Sequence, residues 1–201
     1  MKNFLIGMNS RERNDLIISW ATISLAFAFI LSDGFFDLFN FSIALLVSII
    51  GVGTGFVLHE LAHKYVAIRF GAQAEFRAWK IGLILALVLP IITFGRFLFA
   101  APGAVYIFGE RISVKQNGLI SIAGPLTNIV VAFVFLSLLL LFETSQLLNT
   151  IAVSGAKINF FLAFFNMIPF GPLDGTKVFS WNKAVWAIVF FFSFFAVFFL
   201  F

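Results

Sequence analysis

The stretch His59-Glu60-Leu61-Ala62-His63 holds both histidines of the chain and one carboxylate inside a long apolar segment, where titratable side chains are costly to place. On a helix, residues four apart stack on one face. His59 and His63 can therefore aim two imidazole nitrogens at a single metal ion, with Glu60 flanking the same point. That is an arrangement of two metal ligands and a general base. The alternative, a pair of packing histidines with a partnered glutamate, would put three polar groups into lipid with no chemical return.

A catalytic zinc site needs a third protein ligand and an open position for water. Of the nine acidic residues, Glu12, Asp15, Asp33 and Asp37 fall in terminal or loop segments around the first apolar run, and Glu143 ends the third run on the opposite side. Glu75 and Glu110 flank the segment that follows the histidines. Asp174 follows the fourth run, in a turn set by Pro172 and Gly175, at the level expected for the histidines. It also reads as an ordinary Asp-Gly turn. Asp174 is thus the first candidate, with Glu75 and Glu110 open beside it. Asn166 and Asn128 suit an interhelical hydrogen bond as well as a site role, and structural support is the reading for Asn128. Gly51 and Gly55 form a small-residue face suited to helix packing. Trp20, Trp79, Trp181 and Trp186 suit interface or packing positions.

The elements that carry these residues are membrane spans. Hydrophobic residues make up 62% of the 201, 31 are Phe and 11% are charged, far from the balance of a soluble domain. The absence of cysteine excludes disulfides, thiolate metal sites and cysteine nucleophiles. The net charge of +4 asks for no nucleic-acid partner, because the basic residues lie at the ends of apolar segments. The polar N-terminus does not read as a cleavable signal, so the first run is expected to be retained. Apolar runs over residues 16–32, 41–70, 118–142, 151–168 and from just after Lys183 to the end predict five spans. Lys2, Arg11 and Arg13, then seven Lys and Arg between Lys64 and Lys115, then Lys177 and Lys183 fall on one side, and Lys157 alone on the other. The N-terminus is therefore expected in the cytoplasm, with the site in the cell membrane near that side.

Between the second and third spans, residues 73–80 alternate polar and apolar as a strand does. Residues 81–94 are apolar but too short to span, and predict a re-entrant element. A second extended run is expected over 96–108, giving a small β-ribbon over about 73–109 that dips into the membrane. The expected fold is a membrane all-α bundle of about five to six transmembrane helices with this ribbon, one domain over 1–201.

The ordered set His59-Glu60-Leu61-Ala62-His63, Gly124-Pro125-Leu126-Thr127-Asn128, Asn166, Pro169 and Leu173-Asp174-Gly175 resembles the site-2 proteases, a family of intramembrane zinc metalloproteases, over about residues 41–182. The resemblance implies one Zn2+ per chain on His59, His63 and Asp174, with Glu60 as base and Asn166 polarising the substrate carbonyl. It implies a transmembrane protein or peptide as substrate, presented to the ribbon edge within the lipid bilayer. No PDZ or CBS module is recognisable in the sequence, a departure that leaves regulation of the kind those modules provide without support from the resemblance. The competing class is a non-catalytic membrane protein that binds or transports zinc. Such a protein has no use for Glu60 beside the first ligand.

Overall fold

The computed structural model describes residues 8–32, 37–108, 112–141 and 145–200. Their elements follow in the order α1 (Ser10–Leu31), α2 (Leu38–Arg69), β1 (Gln73–Ala78), α3 (Lys80–Ile92), β2 (Gly103–Phe108), α4 (Val114–Leu141), α5 (Gln146–Asn166), α6 (Asp174–Trp181) and α7 (Lys183–Phe199). The helix starts are written in the sequence. Asn9, Asp37, Ser145 and Asn182 each accept hydrogen bonds from backbone amides of the first turn that follows, which satisfies donors that no residue inside the helix can.

Helices α1, α2, α4 and α5 are long and apolar enough to cross a membrane, and α3 and α7 are shorter apolar helices. At about 1.5 Å per residue α7, with 17 residues, is about 25 Å long, short of a hydrocarbon core of about 30 Å. The fold is a membrane helix bundle with a small antiparallel sheet, as expected. Helix α2 is its axis, packed against α1, α4 and α5.

The segment between the second and third spans differs in detail from the expected ribbon. Its strands are confined to residues 73–78 and 103–108, paired antiparallel with Gln73 opposite Phe108 and Ala78 opposite Gly103. Residues 81–94 are largely helical, forming α3 with Pro90 inside it, and residues 96–102 are not strand. Helix α3 starts near Asp15, whose carboxylate accepts from the Ala78 amide at 3.3 Å. It closes with Gly95 (φ +76) packed on the backbone of Phe29 and Ile30. The chain then returns, so that Trp79 N–H donates to Pro102 O at 2.7 Å. This hairpin leans on α1, and Leu98, Ala100 and Ala101 carry its return limb into the main core with Phe27, Phe56 and Leu162.

The first span also starts earlier than its hydropathy suggests. Glu12 lies in the first turn of α1 and is 1% exposed. The buried Lys64 ammonium donates to both of its oxygens at 2.7 Å, and the Phe76 amide donates to Oε1 at 3.1 Å. Glu12 is therefore no loop residue: pairing lets it and Lys64 both enter the bundle. Together Glu12 and Asp15 occupy the outer edge of β1.

Candidate metal centre

Two elements bring the site together at the level of a third. His59 and His63 project from the last third of α2, one turn apart and both buried. Asp174 opens α6, where Leu173 in extended conformation swings the chain into the helix. Its Oδ2 lies 3.3 Å from His59 Nε2 and 3.0 Å from His63 Nε2. A tetrahedral zinc ion with bonds of about 2.0–2.1 Å holds its ligand atoms about 3.3 Å apart, so these two separations fit a ligand set.

The hydrogen bonds on the far side of each ring say the same. His63 Nδ1 lies 2.7 Å from the Ile120 carbonyl and His59 Nδ1 lies 2.5 Å from Asn128 Oδ1. Both partners accept, so in neutral imidazoles the ring protons sit on Nδ1 and both Nε2 lone pairs face the Asp174 carboxylate. Three acceptors converging without a donor are stable around a cation. Space for one is kept by Gly124 of α4, where a Cβ would lie 2.5 Å from both Nε2 atoms. A side chain there would fill the metal position. The residues present thus fit zinc on geometry and on donor type. Lys177 Nζ lies 3.5 Å from Oδ1, the other oxygen of the Asp174 carboxylate.

The histidines and Asp174 line a cavity of about 350 Å³, which they share with Glu60, Asn166, Lys177 and the β2 residues Ala104 to Ile107. Glu60 is 8% exposed, and its Oε2 is buried without a hydrogen-bond partner among the described residues, the condition of a carboxylate held for a reactant rather than for the fold. Asn166 donates to Leu162 O within its own helix at 3.0 Å, and its side chain reaches the cavity from the end of α5. Glu75, an alternative ligand on sequence grounds, sits on β1 and pairs instead with Asn9 and Arg77. Glu110, the other alternative, lies outside the described residues.

Sequence reasoning passed over Asn159, which is fully buried beside Asn128. The available signal was a second amide in the apolar run of α5, two turns before Asn166. It also left Asn128 as general support, whereas the fold sets that side chain directly on His59.

Comparison with known proteins agrees with the geometry. The profile of Peptidase family M50 matches residues 47–154. A protein of Methanocaldococcus jannaschii, named as a candidate zinc metalloprotease, is 50% identical over 185 residues, covering 92% of each chain. A second such candidate, from Bacillus subtilis, is 30% identical over 143 residues, 61% of this chain and 63% of its own. A Methanocaldococcus jannaschii zinc metalloprotease is 32% identical over 126 residues, 61% of this chain and 30% of its own. No solved structure gives a significant match. A His59–His63–Asp174 cluster able to hold a metal ion in a bundle of apolar helices, inside a chain that this profile matches over more than half its length, makes the protein a member of peptidase family M50, the site-2 protease family of membrane zinc metalloproteases.

Proposed function

We propose that the protein is an intramembrane zinc endopeptidase that hydrolyses peptide bonds within or near transmembrane segments of other membrane proteins. In this reading His59, His63 and Asp174 hold one zinc ion per chain, Glu60 is the general base and Asn166 orients the substrate carbonyl. The whole chain acts as one domain, with its N-terminus in the cytoplasm and its site near that side. The observation that carries the reading is the unpartnered Glu60 Oε2 in the cavity where three acceptor atoms converge.

When bound, zinc acts as a Lewis acid that acidifies water and polarises a carbonyl. The remaining work falls to the chain. Glu60 takes the proton from water and returns it to the leaving amine. Buried walls keep lipid out while the cavity admits water. A peptide bond inside a helix is shielded by its own hydrogen bonds, so the substrate must be extended before it can react. Strand addition offers the means, and the ribbon has one edge for it. The amides of Phe76 and Ala78 turn outward to Glu12 and Asp15. By alternation Glu75 and Arg77 then face β2, and their partners Tyr106 and Ala104 face back. This leaves the amides of Gly103, Val105 and Ile107 pointing away from β1, on the strand that lines the cavity.

The test is incubation of the detergent-purified protein with candidate membrane substrates, with and without a chelator, beside Asp174→Ala. Cleavage that stops with chelator, returns with zinc and is missing in Asp174→Ala is the expected result. Undiminished cleavage with the metal removed would overturn the reading, and zinc binding without cleavage of any substrate would favour a binding or transport role.

A further inference from the structure

An asparagine amide has a donor end and an acceptor end, and in a buried site its neighbours decide which way it points. Asn159 on α5 has its Nδ2 2.9 Å from Gly155 O and 3.3 Å from Gly51 O. Both are carbonyls that only accept, so the donor end belongs there. Its Oδ1 then faces α4, where Asn128 Nδ2 donates to it at 3.1 Å and to Gly55 O at 3.1 Å. One polar atom of Asn128 remains, and that acceptor, Oδ1, meets His59 Nδ1 at 2.5 Å. Each link has a single permitted sense, starting from three fixed backbone carbonyls and ending on the imidazole. Asn128 and Asn159 are both fully buried, so water does not compete. Gly55 makes room for the arrangement, since a Cβ there would lie 2.8 Å from Asn159 Oδ1. His63 is held differently: its Nδ1 meets the Ile120 carbonyl directly.

We propose that Asn159 and Asn128 are positioning residues, a two-amide relay that fixes the proton of His59 on Nδ1 and so aims its Nε2 lone pair at the metal. The proposal rests on His59 being a zinc ligand. It makes the glycine face of α2 a supply of anchoring carbonyls as well as a packing surface, and it ties α5 to a metal ligand on α2 through α4. Outer partners of this kind typically govern metal affinity by about ten- to a hundredfold.

The experiment measures zinc affinity of the full-length protein in detergent by chelator competition, together with the visible absorption of the Co2+-loaded form. Asn128→Leu should weaken zinc by about ten- to a hundredfold. Asn159→Leu frees the Asn128 amide to turn over; it should weaken zinc by about three- to tenfold and shift the Co2+ bands, at the lower end of outer-partner effects. A packing role predicts that Asn128→Leu keeps the parental zinc affinity and Co2+ spectrum, and that result would overturn the relay. So would an Asn159→Leu protein with parental affinity and spectrum, which decides alone if Asn128→Leu fails to fold. His59→Ala separates the two readings: parental zinc affinity there removes His59 from the ligand set. A loss there with no change in the asparagine variants removes only the relay.

Discussion

Two glutamates are buried in this bundle to a similar depth and are treated in opposite ways. Glu12, where α1 meets β1, has a lysine ammonium on both oxygens and a backbone amide on one of them. Glu60, where α2 meets α6, has an oxygen with no partner among the described residues. A buried carboxylate that is fully paired holds structure in place. One left unpaired in a cavity beside converging metal-ligand atoms is a standing cost that only a reactant relieves. The α1–β1 corner is therefore built for rigidity, and the α2–α6 corner for chemistry.

The contrast breaks most sharply under substitution. Glu60→Gln is expected to lower kcat by about a hundred- to ten-thousandfold, the usual worth of a general base, while zinc content and melting temperature hold. Turnover near the parental rate with zinc confirmed would remove Glu60 from the mechanism. Glu12→Ala should do the opposite. It strands the Lys64 ammonium in the bundle and is expected to lower stability by about 3–5 kcal/mol, with kcat per folded molecule unchanged. Denaturation followed beside an active-site titration checks both parts, and an unchanged stability would mean the pair is not buried in the protein as it exists in a bilayer.

Removing both charges sharpens the same point. Glu12→Leu with Lys64→Met should recover stability to within about 1–2 kcal/mol of the parent or exceed it, because paired charges and apolar isosteres are often equivalent in a core. A double variant as unstable as Glu12→Ala would show that the contact of Glu12 with the Phe76 amide, rather than the ion pair, holds the corner. The smallest effect is expected at the other edge of the ribbon. Val105→Pro removes an amide that faces the cavity side, not one from the ladder. It should raise KM for a membrane substrate about tenfold, the loss of one net hydrogen bond of about 1–1.5 kcal/mol, with little change in stability. A KM that stays put would place the substrate elsewhere than on β2.

Much of this protein is legible in its sequence because lipid is a strict solvent. Hydropathy marks the crossing helices, since backbone polar groups must be satisfied within them, and the 3.6-residue period is enough to put His59, Glu60 and His63 at one site. The turn at Asp174 is legible as a candidate, but sequence alone leaves it level with an ordinary Asp-Gly turn. Only the packing of α6 against α4 brings its carboxylate to 3.0 Å from His63. Periodicity misses such features because they join residues far apart in the chain. Helix α1 begins at Ser10, ahead of its apolar run, because Lys64, 52 positions away from Glu12, neutralises that carboxylate. Residues 81–94 are largely helical although Pro90 interrupts them, because α1 supplies the wall they lean on. Gly124 reads only as part of a motif and Asn128 as a support until the fold sets one beside the two Nε2 atoms and the other on His59 Nδ1. The sequence by itself determined the solvent, the helices and the reactive residue types, which are local properties of composition and period. The tertiary structure decided which carboxylate meets the histidines, which glutamate is left unpaired and which edge of the ribbon is open, because each depends on what another segment places opposite it.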